Sequence, residues 1–211
     1  MQTLLIVDLQ NDFMEGGALP IQGGRALIPL INRLQPYFDL IVTCRDWHPP
    51  NHCSFVENHA AKKPGEFIEV AGCLQKLWPA HCVQDTPGAE FAAGLDSNRW
   101  EKVFSKGTDP NIDSYSAFFD NAKRRNTGLT EYFRARGVAK FHVVGVATDY
   151  CVKFSILDAL ELGFQPIVIL DGTQGINSEV HDVEKACLEM QQAGASMILS
   201  KEIIPSKNTA P

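Results

Sequence analysis

Short runs of apolar, largely β-branched residues recur down the chain, and several of them lack any polar alternation. They are Thr3–Asp8, Leu40–Asp46, Lys102–Lys106, Phe141–Ala147, Gln165–Asp171 and Ser196–Ser200. A strand with one wet face would carry a polar residue at every second position, so unbroken apolar runs suit strands buried on both faces of a parallel sheet. Helical patterns lie between most of them. Ala26, Leu27, Leu30, Ile31 and Leu34 fit one helix face. A second helix is expected from a Thr127 N-cap to Arg136, stopping at Gly137, and a third over Thr148–Leu162, stopping at Gly163. Val180, Val183, Cys187 and Met190 mark a fourth that stops at Gly194. Strands alternating with helices build right-handed βαβ units with helices over both sheet faces.

The 211 residues are read as a single domain, since domains run to about 150 residues and larger single ones are common. Ser206–Pro211 reads as a loose tail. One stretch breaks the rhythm. From Trp47 to Trp100 there is little periodicity and much Pro, Gly, His and Asn. A segment of this length is usually a functional insertion. It follows the second strand, and in open parallel sheets ligands bind beyond the carboxyl ends of strands. The insertion is therefore expected to wall a pocket.

The ends of five strands carry polar or reactive side chains: Asp8, Asp46, Lys106, the segment Ala147-Thr-Asp-Tyr-Cys151, and Asp171. They should converge on one rim. Cys151 lies near the start of the third helix, where orphan N–H groups and the helix dipole favour a thiolate and could bind an oxyanion. Asp8 could take the thiol proton and later deliver it to a leaving group, with Lys106 holding the charges in place. The pair could equally be a structural ion pair, and Cys151 a buried hydrophobe. Asp46 and His48 point the same way in an extended segment, and His81 could close a mixed N/O metal site with them. His52 is a further candidate ligand or outer partner. His59, His142 and His181 read as ordinary. Phe13, Trp47, Trp78 and Tyr115 could pack against a flat heteroaromatic ring, while Asp149 and Asp171 read as structural.

In order, Val7-Asp8-Leu9-Gln10-Asn11-Asp12-Phe13, Asp46-Trp47-His48-Pro49, Trp78-Pro79-Ala80-His81-Cys82-Val83, Lys106-Gly107 and Gly145-Val146-Ala147-Thr148-Asp149-Tyr150-Cys151-Val152 resemble the isochorismatase-like cysteine hydrolases. Among these they resemble most the nicotinamidase (pyrazinamidase) branch. The resemblance runs from about residue 3 to residue 200. It implies a three-layer α/β/α fold around a central, mostly parallel sheet of about six strands. It also implies a triad of Asp8, Lys106 and Cys151, with the N–H groups of Ala147 and Cys151 as oxyanion hole beside a cis peptide at Val146-Ala147. One divalent metal ion is implied, zinc first with iron or manganese as alternatives, held by Asp46, His48 and His81 with His52 in the shell. Phe13 and Trp78 would sandwich the substrate ring, and Tyr115 would line the same pocket. The implied reaction is hydrolysis of nicotinamide to nicotinate and ammonia through a thioester, feeding NAD salvage, with pyrazinamide as a second substrate.

Two alternatives stay open at this point: another amide or carbamoyl hydrolase on the same fold, and a non-enzymatic metal- or ligand-binding protein. Composition narrows the partners. A formal charge of −6 is a poor match to phosphate backbones, so nucleic acid is not expected. The apolar runs fall far short of the roughly 20 residues a bilayer requires, so no membrane is expected either. The N-terminus does not read as a secretory leader, and the 6 cysteines form no CxxC pair. Reduced thiols in a cytoplasmic protein are expected. No feature selects between a monomer and a homo-oligomer.

Overall fold

The computed structural model describes residues 1–70 and 72–205, so the expected tail at 206–211 lies outside the described residues. The main sheet has six strands: β1 (Thr3–Val7), β2 (Leu40–Asp46), β5 (Lys102–Lys106), β6 (Lys140–Val146), β7 (Gln165–Gln174) and β8 (Ser196–Ile198). All neighbours pair in parallel, in the order β5-β2-β1-β6-β7-β8. Among the described residues four α-helices accompany it: α1 (Leu27–Leu34), α2 (Leu129–Ala135), α3 (Lys153–Glu161) and α4 (Asp182–Gln192).

Burial explains the unbroken apolar strands. Every residue of β1 is buried, and successive side chains enter different cores. Leu4 and Ile6 pack with Ile28, Ile31 and Leu34 of α1. Leu5 and Val7 pack with Phe133 of α2, Ile156 of α3 and Met190 of α4. This is the expected α/β/α arrangement of layers. The chain builds β1, β2 and β5 outward on one side, then returns to place β6 on the other side of β1. The gap between β1 and β6 is thus the switch point, and their carboxyl ends open onto it.

Several expected boundaries move. α2 begins at Leu129, and Thr127 still acts from outside it: its Oγ1 accepts the Leu129 N–H at 3.2 Å. The third helix does not start regularly, because Thr148–Val152 forms a π-turn before α3. Val180 is exposed and precedes α4, while Met190 is fully buried. In α1 Ile28 is buried and Ala26, just before it, is exposed. β7 runs past Asp171 to Gln174, so Asp171 does not close a strand on the rim; it accepts hydrogen bonds from Ser200 N and Oγ instead. The insertion holds a structure that its weak periodicity concealed, an antiparallel hairpin of β3 (Phe67–Val70) and β4 (Cys73–Lys76). Among the described residues no helix is long and apolar enough to cross a membrane.

Gly145 shows how tightly β6 meets β1. Its φ is +117°, and a Cβ there would lie 2.0 Å from the Val7 carbonyl oxygen. The pairing of β6 with β7 shifts register between Val143 and Gly145. Both backbone neighbours are sheet, so neither can yield cheaply. Gly145→Ala is expected to destabilise the protein by at least about 2 kcal/mol. A melting experiment should show this as a drop of about 4–8 °C in Tm.

Candidate active site

Four adjacent strand ends bring the expected groups together. Asp46 and Lys106 are register partners at the ends of β2 and β5. Asp8 follows β1 in the left-handed region, φ +51°, a conformation that ends the strand and that Asp tolerates better than most residues. Cys151 lies in the π-turn after β6, next to the cis Val146–Ala147 peptide. In that turn the Tyr150 and Val152 N–H groups both donate to Ala147 O.

Lys106 is the hub. Its Nζ lies 2.8 Å from Asp8 Oδ2 and 2.5 Å from Asp46 Oδ1. It also donates to Ser114 O at 3.1 Å and to Cys151 Sγ at 3.4 Å. All four charged or nucleophilic groups are buried. Burial works against the ammonium, but the Asp46 and Asp8 charges outweigh it and hold the lysine well above its usual range. Burial pushes Asp8 up to about 6 against the pull of Lys106. Asp46 is driven the other way, because Lys106 and then His48 outweigh its burial.

Cys151 corrects one expectation. Its thiol is pushed well above the usual range, first by burial and also by the Asp8 and Asp46 charges, which together exceed the pull of Lys106. Burial and the two carboxylates therefore favour the thiol over the thiolate at Cys151, against the expectation from the helical start. Of the other cysteines, Cys44 donates to Asp8 Oδ1 at 3.4 Å, and burial holds it protonated too. All six cysteines are free.

Asp46, His48 and His81 offer ligand atoms that lie within 4.8 Å of one another. His48 Nδ1 donates to Gly107 O at 2.9 Å and His81 Nδ1 to Pro79 O at 2.8 Å. A carbonyl can only accept, so both rings present an unprotonated Nε2 when neutral, at 3.6 and 3.8 Å from Asp46 Oδ2. His52 lies tilted against His48 with ring centroids 4.2 Å apart, and among the described residues its buried Nε2 has no hydrogen-bond partner. Burial and the His48 charge push it down to about 4, so it is neutral at pH 7. An orphaned buried ring nitrogen and a buried excess of negative charge (Asp8 and Asp46 against Lys106) together fit a divalent cation.

The pocket beside these groups is lined by Phe13, Trp78, Tyr115, Ala147 and Cys151, as the sequence suggested, and also by Leu19, Asp113, Tyr150 and Ile176. Trp47 is not among its walls; Arg45 stacks on it at 3.7 Å. Three supporting residues escaped sequence reasoning. Gln10 Nε2 donates to Asp46 O and Gln10 Oε1 accepts from Asp46 N, each at 2.7 Å, which fixes the backbone of the shared carboxylate. Asp113 is buried at 4.0 Å from His52 Nε2 and accepts from Gln75 at 2.9 Å. Tyr150 packs edge-on to Trp78 at 4.9 Å. Gln10 and Tyr150 stood inside the quoted motifs, but nothing in their spacing marked a role. Asp149 is structural as expected, accepting the N–H groups of Ile176 and Asn177.

Known proteins resemble this chain along nearly its whole length. The isochorismatase domain model matches residues 2–202. The chain is 43% identical over 202 residues to the nicotinamidase of Escherichia coli, covering 93% of each chain. It superposes on the nicotinamidase/pyrazinamidase of Acinetobacter baumannii with a TM-score of 0.93 at 42% identity, covering 96% of this chain and 98% of that one. It also superposes on the pyrazinamidase of Pyrococcus horikoshii, solved in complex with zinc, with a TM-score of 0.75 at 37% identity, covering 94% and 98%.

The His48 seat depends on a glycine. A Cβ on Gly107, whose φ is +63°, would lie 2.2 Å from the His48 ring. Gly107→Ala must therefore push the imidazole out of place. The purified variant is expected to carry markedly less divalent metal than the wild type by elemental analysis, with its circular dichroism unchanged.

Proposed function

The chain belongs to the isochorismatase domain family, and from that premise we propose that it hydrolyses nicotinamide to nicotinate and ammonia, using Cys151 as nucleophile and one divalent metal ion. The observation that carries this reading is the Lys106 ammonium, which gathers Asp8, Asp46 and Cys151 at one point beside a histidine cluster.

The steps follow from the groups present. The carboxamide carbon sits over Sγ with the ring between Phe13 and Trp78. As Sγ attacks, its proton passes to Asp8; ligand atoms of the two residues lie within 4.8 Å of each other. The carbonyl oxygen gains charge and is received by the backbone N–H groups of Ala147 and Cys151. Collapse of the adduct breaks the C–N bond, and Asp8 returns the proton to the leaving nitrogen, which departs as ammonia. Water then attacks the thioester, giving its proton to Asp8. The C–S bond breaks, and Asp8 restores the thiol proton as the acid leaves. Lys106 keeps Asp8 in place and offsets the negative charge near sulfur.

Asp46, His48 and His81 would hold the ion, with His52 beside them, and the ion would supply a Lewis-acid pole that orients the ring nitrogen. Zinc, iron(II) and manganese all suit such donors; zinc is our first choice, in line with the zinc-bound relative. Pyrazinamide presents the same carboxamide on a similar ring and is expected to be a second substrate. A cytoplasmic setting suits six free thiols.

Ammonia release from nicotinamide by the metal-replete protein tests the reading. Cys151→Ala should abolish it, and Asp8→Asn should lower kcat by at least about a hundredfold. Substantial turnover by a verified Cys151→Ala sample would remove the covalent mechanism. Acid sensitivity provides a separate check. Asp8 must be ionised to accept the thiol proton, and burial raises it to about 6. Below that pH kcat/KM should fall about tenfold per pH unit; a rate constant down to pH 5 would exclude Asp8 as the base.

A further inference from the structure

The aromatic wall of the pocket has a hollow behind it. Tyr115 and Tyr150 line the reaction pocket on one side and a surface groove between the β3–β4 hairpin, α3 and α4 on the other. On that side Tyr115 is held by Phe154 at 5.3 Å and Tyr150 by Tyr115 at 5.5 Å, which leaves part of the wall facing the groove. One side chain spans that space. Lys76, on β4, donates from Nζ to Tyr150 OH at 2.9 Å and to Ser178 Oγ at 3.4 Å. The same ammonium stands 4.7 Å from the Trp78 ring centroid and 5.4 Å from that of Tyr150. Trp78 in turn donates from Nε1 to Tyr115 OH at 3.0 Å.

We propose that Lys76 is a positioning residue that clamps the Trp78–Tyr150 wall and so sets the pocket width for a single planar ring. The cation touches both rings and ties them to Ser178, between β7 and α4. Tyr150 immediately precedes Cys151, so the clamp reaches the turn that bears the nucleophile. Its effect falls on the ring rather than on the reacting carboxamide, because Lys76 does not contact Cys151's charge partners. Removal should therefore weaken ring binding and relax size selection while leaving the bond-breaking groups in place. The inference rests on the proposed amidase reading for its kinetic arm alone.

The test compares wild type, Lys76→Met and Lys76→Arg, with nicotinamide and its benzo-fused analogue quinoline-3-carboxamide as substrates. In Lys76→Met the KM for nicotinamide should rise about three- to tenfold, the range of one lost cation–aromatic contact and one hydrogen bond. The change in kcat should stay within about twofold. Preference for nicotinamide over the bicyclic amide should narrow. Lys76→Arg keeps a cation and a donor and should restore much of both. Acrylamide quenching of Trp78, in a background with Trp47→Phe and Trp100→Phe, reads the wall without turnover. It should increase in Lys76→Met and return toward wild type in Lys76→Arg. Unchanged quenching in Lys76→Met overturns the clamp. So does a loss of kcat in step with metal content, which would mark a general structural role. If wild type releases no ammonia, the amidase reading fails and the quenching result alone decides the clamp.

Discussion

Asp46 divides its two oxygens between an ammonium and a histidine cluster, and the site is organised by that division. Oδ1 faces the Lys106 ammonium and Oδ2 faces His48 and His81. A buried carboxylate with one partner removed would be strongly destabilising, so each pole is needed by the other. The same geometry explains why the proposed ion would sit on one side only. Asp8, Asp46 and Cys151 also offer three ligand atoms within reach of a common centre. The Lys106 Nζ already sits among them at hydrogen-bond distances from all three. A fixed internal cation thereby leaves the histidine side for the exchangeable one.

That arrangement is inherited from the sheet. Parallel pairing sets Asp46 beside Lys106 by register, and β1 lies next to β2, so Asp8 arrives at the same end. The return of the chain to place β6 on the far side of β1 brings Cys151 to the switch point. Close approach there demands glycine at 145. The cores on the two sheet faces hold these strand ends in fixed relation, so the charges meet without a flexible element in between. The supports for the metal ligands come from the insertion and from the β1 loop. Gln10 grips the Asp46 backbone, and Asp12 accepts the Cys82 N–H at 2.7 Å, beside His81.

The strands were legible because burial on both faces removes polar residues, and the meeting of Asp8, Lys106 and Cys151 because reactive side chains stood at strand ends. Asp171 shows the limit of that rule. Its run continues in β-structure to Gln174, so an acidic residue after four apolar ones was not a strand end. The β3–β4 hairpin was invisible for a related reason. Phe67 and Leu74 are exposed apolar residues and Gln75 is a buried polar one, so the usual sign of the pattern is inverted. Gln10, Asp113 and Lys76 act through contacts that reach across 36, 38 and 74 residues of sequence. No local period can encode such contacts.

The direction of the Cys151 shift carries a further consequence for how the site works. A helix start alone would favour the thiolate, yet here two carboxylates and burial outweigh one ammonium. These surroundings favour the thiol, a weaker nucleophile and a weaker metal ligand than its anion. A thiolate one ligand-length from Asp46 would compete for the divalent cation and would oxidise more readily. Keeping the proton until substrate arrives avoids both. In the proposed reaction, attack would then be coupled to proton transfer and would need a base of matched affinity at the same spot. Burial lifts Asp8 to about 6, close enough to neutral pH to take up that proton and return it to ammonia in the proposed sequence of steps. The ion pair with Lys106 keeps that lift from going further, since without the ammonium the buried carboxyl would remain protonated and could accept nothing.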